Sequence, residues 1–274
     1  MKGENAFMIE TNLKIGLALG GGAFRGLAHI GVLQVMEEYG VPIHMIAGTS
    51  MGALVGGVYC SGMNMHLVER YVYTIEERDL IDMTIPRTGF IAGQRIELLI
   101  KTLTGNRSFQ DLKIPFAAVA ADVEKGQPVV LTEGKVYEAI RASISIPGVF
   151  KPVMRDGRML VDGGIVARVP TDTVRDMGAD FVISVDVGYH GGETKCDGIV
   201  SIMMQAFAVM EWHIIKERVN TSDINIVPAL GHINMASIAQ AEETIEIGRQ
   251  AARAQIPGIL QALQDRGAKL LDSQ

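Results

Sequence analysis

The sequence predicts an α/β fold of three layers, α/β/α, with a mainly parallel central sheet. Two observations predict the parallel order: the alternating run Lys14–Leu19 passes through glycines into the helical pattern Leu27–Leu33, and the apolar run Val41–Ala47 passes through a second glycine turn into a helix-compatible stretch from Met51. A chain that begins βαβα reads as a parallel sheet covered by helices on both faces. The third is composition: 274 residues, 48% hydrophobic and only 5% aromatic, suffice for one large core. We therefore expect a single domain over 14–274 preceded by an N-terminal extension, 1–13.

After the first strand come Gly20, Gly21 and Gly22, then Ala23-Phe24-Arg25-Gly26. Three glycines between a strand and a helix let the backbone turn its N–H groups into a concavity that holds an anion. One use would be a dinucleotide, but Gly20, Gly22 and Gly26 give the loose spacing G-x-G-x-x-x-G. The acid expected at the end of the next strand to bind a ribose is missing. That strand ends instead in Gly48-Thr49-Ser50-Met51-Gly52, a Gly-x-Ser-x-Gly turn. This is the pattern of a nucleophile elbow, in which a serine sits on a sharp strand-to-helix turn and the residues two before and two after it, Gly48 and Gly52, have no room for a Cβ. With a nucleophile on the second strand, an oxyanion hole is the better use of the Gly20–Gly22 loop.

Residues from about 64 to 104 read as a helical insertion, broken by Pro86 and Gly89 and containing an amphipathic helix over Ile91–Ile100. Strands are expected at Phe116–Val123, Val129–Thr132, Arg158–Asp162 and Phe181–Val187, with a helix over Val136–Ser143. Asp162-Gly163-Gly164 closes one of these strands; an acid there is either part of a plain Asp-Gly turn or a group that a hydroxyl can approach closely. Gly188–Gly198 reads as a loop. Ile199–Asn220, with Met203, Met204, Phe207 and Met210, reads as a helix of the outer layer, or as a lid facing lipid. Within this C-terminal helical region, 199–274, Ala239–Lys269 reads as a long helix broken around Pro257-Gly258, suited to packing or oligomer contact.

In this order, the glycine-rich loop Gly20–Gly26, the elbow Gly48–Gly52 and Asp162-Gly163-Gly164 resemble the patatin-like phospholipase family. So do Phe109–Pro115, Ala120–Gly126, Arg141–Phe150 and Gly178–Val187, which look like the short bacterial members. The resemblance implies a patatin-like fold and a lipid acyl hydrolase with a serine–aspartate dyad. Ser50 would be the nucleophile, Asp162 the base that receives its proton directly, and the backbone of Gly20, Gly21 and Gly22 the oxyanion hole. Gly48, Gly52, Gly163 and Gly164 would support these groups, and Arg25 would tie down its turn by bonding carbonyls. The chain departs from the family at two points. It reads Ile165-Val166-Ala167-Arg168 where an asparagine usually follows Asp-Gly-Gly, and it carries Phe24 in the glycine loop, a ring that narrows or walls the acyl pocket. A free aspartate, with a pKa of ~4, is a weak base, so most of the rate must come from the oxyanion hole and positioning.

A histidine base is disfavoured because only one clear strand precedes the strand that leads to Ser50. His29, His44, His66, His190, His213 and His232 also lie in contexts suited to core or surface roles. No pair of them has metal-ligand spacing, so neither metal nor cofactor is expected. Cys60 and Cys196 are too few for a disulfide framework. A net charge of −6 gives no reason to expect nucleic acid. Tyr39–Val68 lacks charged residues, yet Pro42, Asn64 and many glycines make it a buried strand, elbow and helix, not a membrane span. The N-terminal residues lack the apolar core of a signal peptide, so a cytoplasmic protein with transient membrane-surface contact is expected. Its partner would be a lipid or other acyl ester. The alternatives are a transacylase, in which an alcohol or thiol resolves the same acyl-enzyme, and a regulatory or scaffolding protein with a vestigial site.

Overall fold

The computed structural model describes residues 7–80, 82, 89–193, 196, 198–215 and 221–272. The strands are β1 (Phe7–Glu10), β2 (Ile15–Leu19), β3 (Met45–Thr49), β4 (Gly89–Ile91), β5 (Phe116–Asp122), β6 (Gln127–Leu131), β7 (Gly148–Phe150), β8 (Val153–Arg155), β9 (Arg158–Asp162), β10 (Phe181–Val185), β11 (Ile224–Ile226) and β12 (Lys269–Asp272). The α-helices are α1 (Ala28–Glu38), α2 (Met51–Cys60), α3 (Met65–Val72), α4 (Glu77–Leu80), α5 (Gln94–Leu103), α6 (Val136–Ser143), α7 (Gly164–Ala167), α8 (Thr171–Asp176), α9 (Ile199–Ile215) and α10 (Ala241–Asp265).

The central sheet runs β11-β10-β2-β3-β5-β9-β8, with β6 also paired to β5. Every pair from β11 to β5 is parallel, whereas β6 and β9 are antiparallel to β5 and β8 to β9. The strands buried on both faces read as continuous apolar runs for that reason. On one face Ile15, Leu17, Leu19, Ile46, Phe116 and Ile183 join the large core that packs under α1, α2, α6 and α10. On the other, Ala18, Ala47 and Ala117 meet Val174 of α8. Small side chains on this face let a short helix lie close, and a Cβ at Gly16 would come within 2.1 Å of Val174.

Several elements depart from the sequence reading. Part of the expected extension is β1, which pairs antiparallel with β12 in a separate two-stranded sheet. The segment read as a helical insertion also holds β4, which pairs with β7. Ile91 therefore belongs to a strand, and α5 starts only after Gly93, whose φ of 85° is left-handed. The C-terminal region is not all helical, since β11 forms an edge of the main sheet. α10 is continuous through Pro257. A proline removes one helical hydrogen bond, and the buried Ile256, Ile259 and Leu263 hold the helix on course through that gap. The expected helix beyond α9 falls on residues 216–220, outside the described residues.

α1 and α10 cross in backbone contact. A Cβ on Gly31 would lie 2.1 Å from the Ile245 carbonyl, and one on Gly248 the same distance from that of Ala28. Neither backbone can move without disturbing the core beneath. Gly248→Ala should therefore lower the free energy of unfolding by about 1–3 kcal/mol, the usual range for overpacking, read as a lower urea midpoint. An unchanged midpoint would mean that this crossing has slack.

Candidate active site

Strand register brings the two ends of the site together. Gly48 and Thr49 of β3 pair with Ala118 and Val119 of β5, while Asp162 of β9 pairs with Ala120. β6 pairs with Ala118 through Asp122 and so takes the opposite edge along both stretches. β3 and β9 therefore lie end to end on one edge of β5, running toward each other. The residue that follows β3 is Ser50 and the last residue of β9 is Asp162.

Ser50 has φ 55° and ψ −123°, a left-handed conformation that side chains rarely adopt. Its strain is held by close packing around the turn. A Cβ on Gly48 would meet the Gly52 carbonyl at 2.4 Å, and one on Gly52 would meet that of Leu19 at 2.1 Å. The hydroxyl of Ser50 donates to Asp162 Oδ2 at 2.5 Å. The other carboxyl oxygen of Asp162 accepts from Gly164 N–H at 2.8 Å. Burial pushes the Asp162 carboxyl up to about 6, and these two hydrogen bonds pull in the other direction without cancelling it. Asp162 is thus a stronger base than the free aspartate assumed from the sequence.

The end of α6 ties both strand ends down. Ser143 Oγ accepts from Ser50 N–H at 2.9 Å and donates to the Val119 carbonyl at 2.6 Å, the group lying between the ends of β3 and β9. Asp162 N–H donates to the Ser145 carbonyl at 2.9 Å, and Ser145 Oγ accepts from buried Arg141. Thr49 Oγ1 reaches the Ala167 carbonyl at 2.8 Å and fixes α7 against β3. Ser143, Ser145 and Arg141 lie in a segment whose likeness to the family was evident, but nothing in their spacing signalled a role at the site.

The glycine loop differs in detail from the expectation. Gly20 N–H donates to the Val185 carbonyl and Gly21 N–H to that of Arg168, both at 2.9 Å. These two amides are already committed to backbone carbonyls. Among the described residues the amides of Gly22 and Ala23 have no such partner, and both residues line the cavity that contains Ser50 and Asp162. His29 was read only as a core histidine, yet its Nε2 lies 2.8 Å from the Gly20 carbonyl. Burial holds its imidazole down to about 4, so it is neutral at pH 7 and clamps the loop as a donor. Arg25 does bond carbonyls, but not those of its own turn: Nε donates to Ile233 and Nη2 to Gly231, across the fold.

Two cavities meet at Ser50. One is polar at its base and is roofed by Met204, Phe207, Ala208 and Glu211 of α9. The other is strongly apolar, of about 210 Å³, and runs from Ser50 past Phe24, Leu27 and Leu54 toward Val68 and Leu99. Phe24 is one of its walls. Glu211, which the sequence reading did not single out, has its carboxyl pushed up to about 8, first by burial and then by the charge of Asp162. Among the described residues no histidine hydrogen-bonds Ser50 or Asp162: His190 lies 3.4 Å from Asp186 and His232 2.9 Å from Glu243. No described group of three or more His, Cys, Asp or Glu side chains is arranged to hold a metal. No described helix is long and apolar enough to cross a membrane.

Known proteins share this architecture. The chain superposes over 98% of its length on 71% of VipD from Legionella pneumophila, with a TM-score of 0.64 at 12% sequence identity, a likeness of fold. It is 39% identical over 190 residues to an NTE family protein of Mycobacterium tuberculosis, covering 68% of this chain and 52% of that protein. It is 35% identical over 186 residues to the neuropathy target esterase sws of Drosophila melanogaster, covering 65% of this chain and 13% of that one. The chain thus spans about half the length of the first relative and a small part of the second. The family model for patatin-like phospholipases matches residues 17–175, a stretch that contains the glycine loop, Ser50 and Asp162, and the chain belongs to the patatin-like phospholipase family.

Proposed function

We propose that the protein is a lipid acyl hydrolase with Ser50 as nucleophile and Asp162 as its general base. The observation that carries this reading is the 2.5 Å hydrogen bond from Ser50 Oγ to Asp162 Oδ2 at a strained elbow. In the proposed reaction Ser50 Oγ attacks the acyl carbonyl as its proton passes to Asp162. The amides of Gly22 and Ala23 donate to the oxyanion, taking the place of the Gly20 and Gly21 amides. Collapse expels the alcohol, which takes the proton from Asp162. Water then attacks the acyl-enzyme, gives its proton to Asp162, and frees Ser50 and a fatty acid.

The apolar cavity beginning at Ser50 suits an acyl chain, since almost everything that lines it is aliphatic or aromatic. α9 suits a lipid surface, with Ile199, Ile202, Met210 and Ile214 exposed on its outer side. A relative carries the name esterase, which supports ester cleavage here. Asp162 must be ionised to accept the proton, so hydrolysis of a short-chain lipid ester should fall as pH drops through about 6.

Ser50→Ala should abolish both ester hydrolysis and labelling by a fluorophosphonate. Retention of most of the activity would move the nucleophile elsewhere. Asp162→Asn should reduce kcat by ~10²–10⁴, the range for loss of a general base. The same variant should be more stable than wild type. A raised carboxyl pKa means that the folded state binds more protons than the unfolded one between pH 3.8 and about 6. The stability it contributes is present at low pH and lost as pH rises through that window, and the buried carboxylate costs about 2–3 kcal/mol above it. Urea unfolding at pH 7.5 reads this gain; a loss of stability would mean that the carboxylate is better paired than its burial suggests.

The loop supplies one more test. A Cβ on Gly22 would meet the Val187 carbonyl at 2.6 Å, so Gly22→Ala must displace the amides that face the cavity. We expect kcat to fall by roughly 10²–10³ with KM little changed. A rise in KM alone would assign the loop to substrate binding.

A further inference from the structure

The reaction above leaves one buried carboxyl at the site without a part to play. Glu211 projects from α9 into the cavity that holds Ser50 and Asp162, and also borders a separate polar cavity lined by Arg168, Asp186 and His190. A Cβ built on Gly164 would lie 2.6 Å from Glu211 Oε1 and 3.1 Å from Asp162 Oδ1. Two carboxyl groups, one at the end of β9 and one on α9, thus close on the same point, and only a glycine leaves room between them. Asp162 already accepts from Ser50 and from Gly164. Two buried carboxyls so placed cannot both ionise without strong repulsion.

We propose that Glu211 is the proton-holding positioning residue of this site: its neutral carboxyl lets α9 close over Ser50, and its ionisation lifts α9 away. The inference rests on the Ser50–Asp162 reading given above. α9 otherwise covers the cavity only with the apolar side chains Met204, Phe207 and Ala208, which offer nothing to balance a new negative charge.

The charged groups around Glu211 favour its neutral form. Asp162 faces it from β9, and Asp186 from the segment after β10. Among the described residues, Arg168, following α7, is the buried cation that acts on it, but its Nη2 is engaged by Asp186 at 2.7 Å. His190 lies 3.4 Å from the same Asp186, and Asp172 of α8 lines the far side of the polar cavity. Tyr189 lines the Ser50 cavity and meets the ring of Trp212 edge-on, and His213 follows on α9 itself. Burial and the two aspartates outweigh Arg168 and push Glu211 up to about 8, above Asp162 at about 6. Between those values the pair holds one proton, on Glu211, and Asp162 is free to receive the proton of Ser50.

The test measures the rate at which a fluorophosphonate labels Ser50 between pH 5 and 10, in wild type and in Glu211→Gln. The amide has the shape of the neutral carboxyl and cannot ionise. Wild-type labelling should rise through about pH 6 and then fall about tenfold from pH 7 to 9, as one ionisation near 8 requires. Glu211→Gln should keep the rise, which reports a folded site, and lose the fall. Trp212, the single tryptophan of the sequence, follows Glu211 on α9. Its emission should shift over the same alkaline range in wild type and stay fixed in the variant, with no chemistry required. Equal alkaline loss in both proteins, or a wild-type Trp212 emission that does not move, would overturn the inference. Absence of labelling at every pH would instead remove the Ser50 reading, and the Trp212 titration would then decide the role of Glu211 alone.

Discussion

The site depends on two strands sharing one edge of β5 and meeting end to end. β3 runs with β5 and β9 against it, so both deliver their C-terminal residues to the same place, beside Val119 and Ala120. The join leaves the Val119 carbonyl between two strand ends, and a buried acceptor of that kind needs a donor. Ser143 supplies one and passes the connection on to the amide of Ser50. Gly163 completes the join, because a Cβ there would lie 2.2 Å from the same carbonyl. The distance between Ser50 and Asp162 is thus fixed by backbone pairing and by the end of α6, without reliance on flexible side chains.

Burial has opposite effects on the two kinds of group at the site. It raises the Asp162 carboxyl, which improves it as a base and makes it costly to hold ionised. It lowers the His29 imidazole, which keeps that ring neutral and able to donate to the Gly20 carbonyl. Gly20, Gly21 and Gly22 carry no charge of their own, and the loop takes its shape from what grips it. The grips are Val185 and Arg168 on its first two amides, His29 on a carbonyl, and Arg25 reaching to the segment at 231–233.

Local chemistry made much of this legible. Glycines at 48 and 52 around a serine, or three in a row after a strand, impose a turn whatever surrounds them, so both loops could be read from the chain. The helix Val136–Ser143 and the strand Arg158–Asp162 have the same limits in sequence and structure, because each is an uninterrupted pattern with clear breakers. What could not be read depends on distant partners. β1 and β12 are short and acquire meaning only from each other. The break expected at Pro257 is overridden by the burial of Ile256, Ile259 and Leu263 along the same helix. Which glycine amides are engaged depends on the carbonyls of Val185 and Arg168, far along the chain, so the loop could be recognised while the partners of its amides could not. Glu211 gave no signal at all, since one acid on an apolar helix is ordinary until the fold sets it beside Asp162.

The grips on the glycine loop also bear on the order in which the protein can assemble. β2 comes early in the chain and lies near the middle of the sheet, yet its neighbour β10 is made much later, and the residues that Arg25 holds lie later still. Long-range parallel pairing of this kind is slow, because loop-closure entropy must be met before any contact forms. During synthesis the apolar edge of β2 therefore stays open while β3, β5 and β9 already have what they need to join. An incomplete chain ending before Ile224 would contain both Ser50 and Asp162 and still lack the carbonyls that Arg25 requires. The nascent protein thus carries Ser50 and Asp162 long before the segment that Arg25 grips exists.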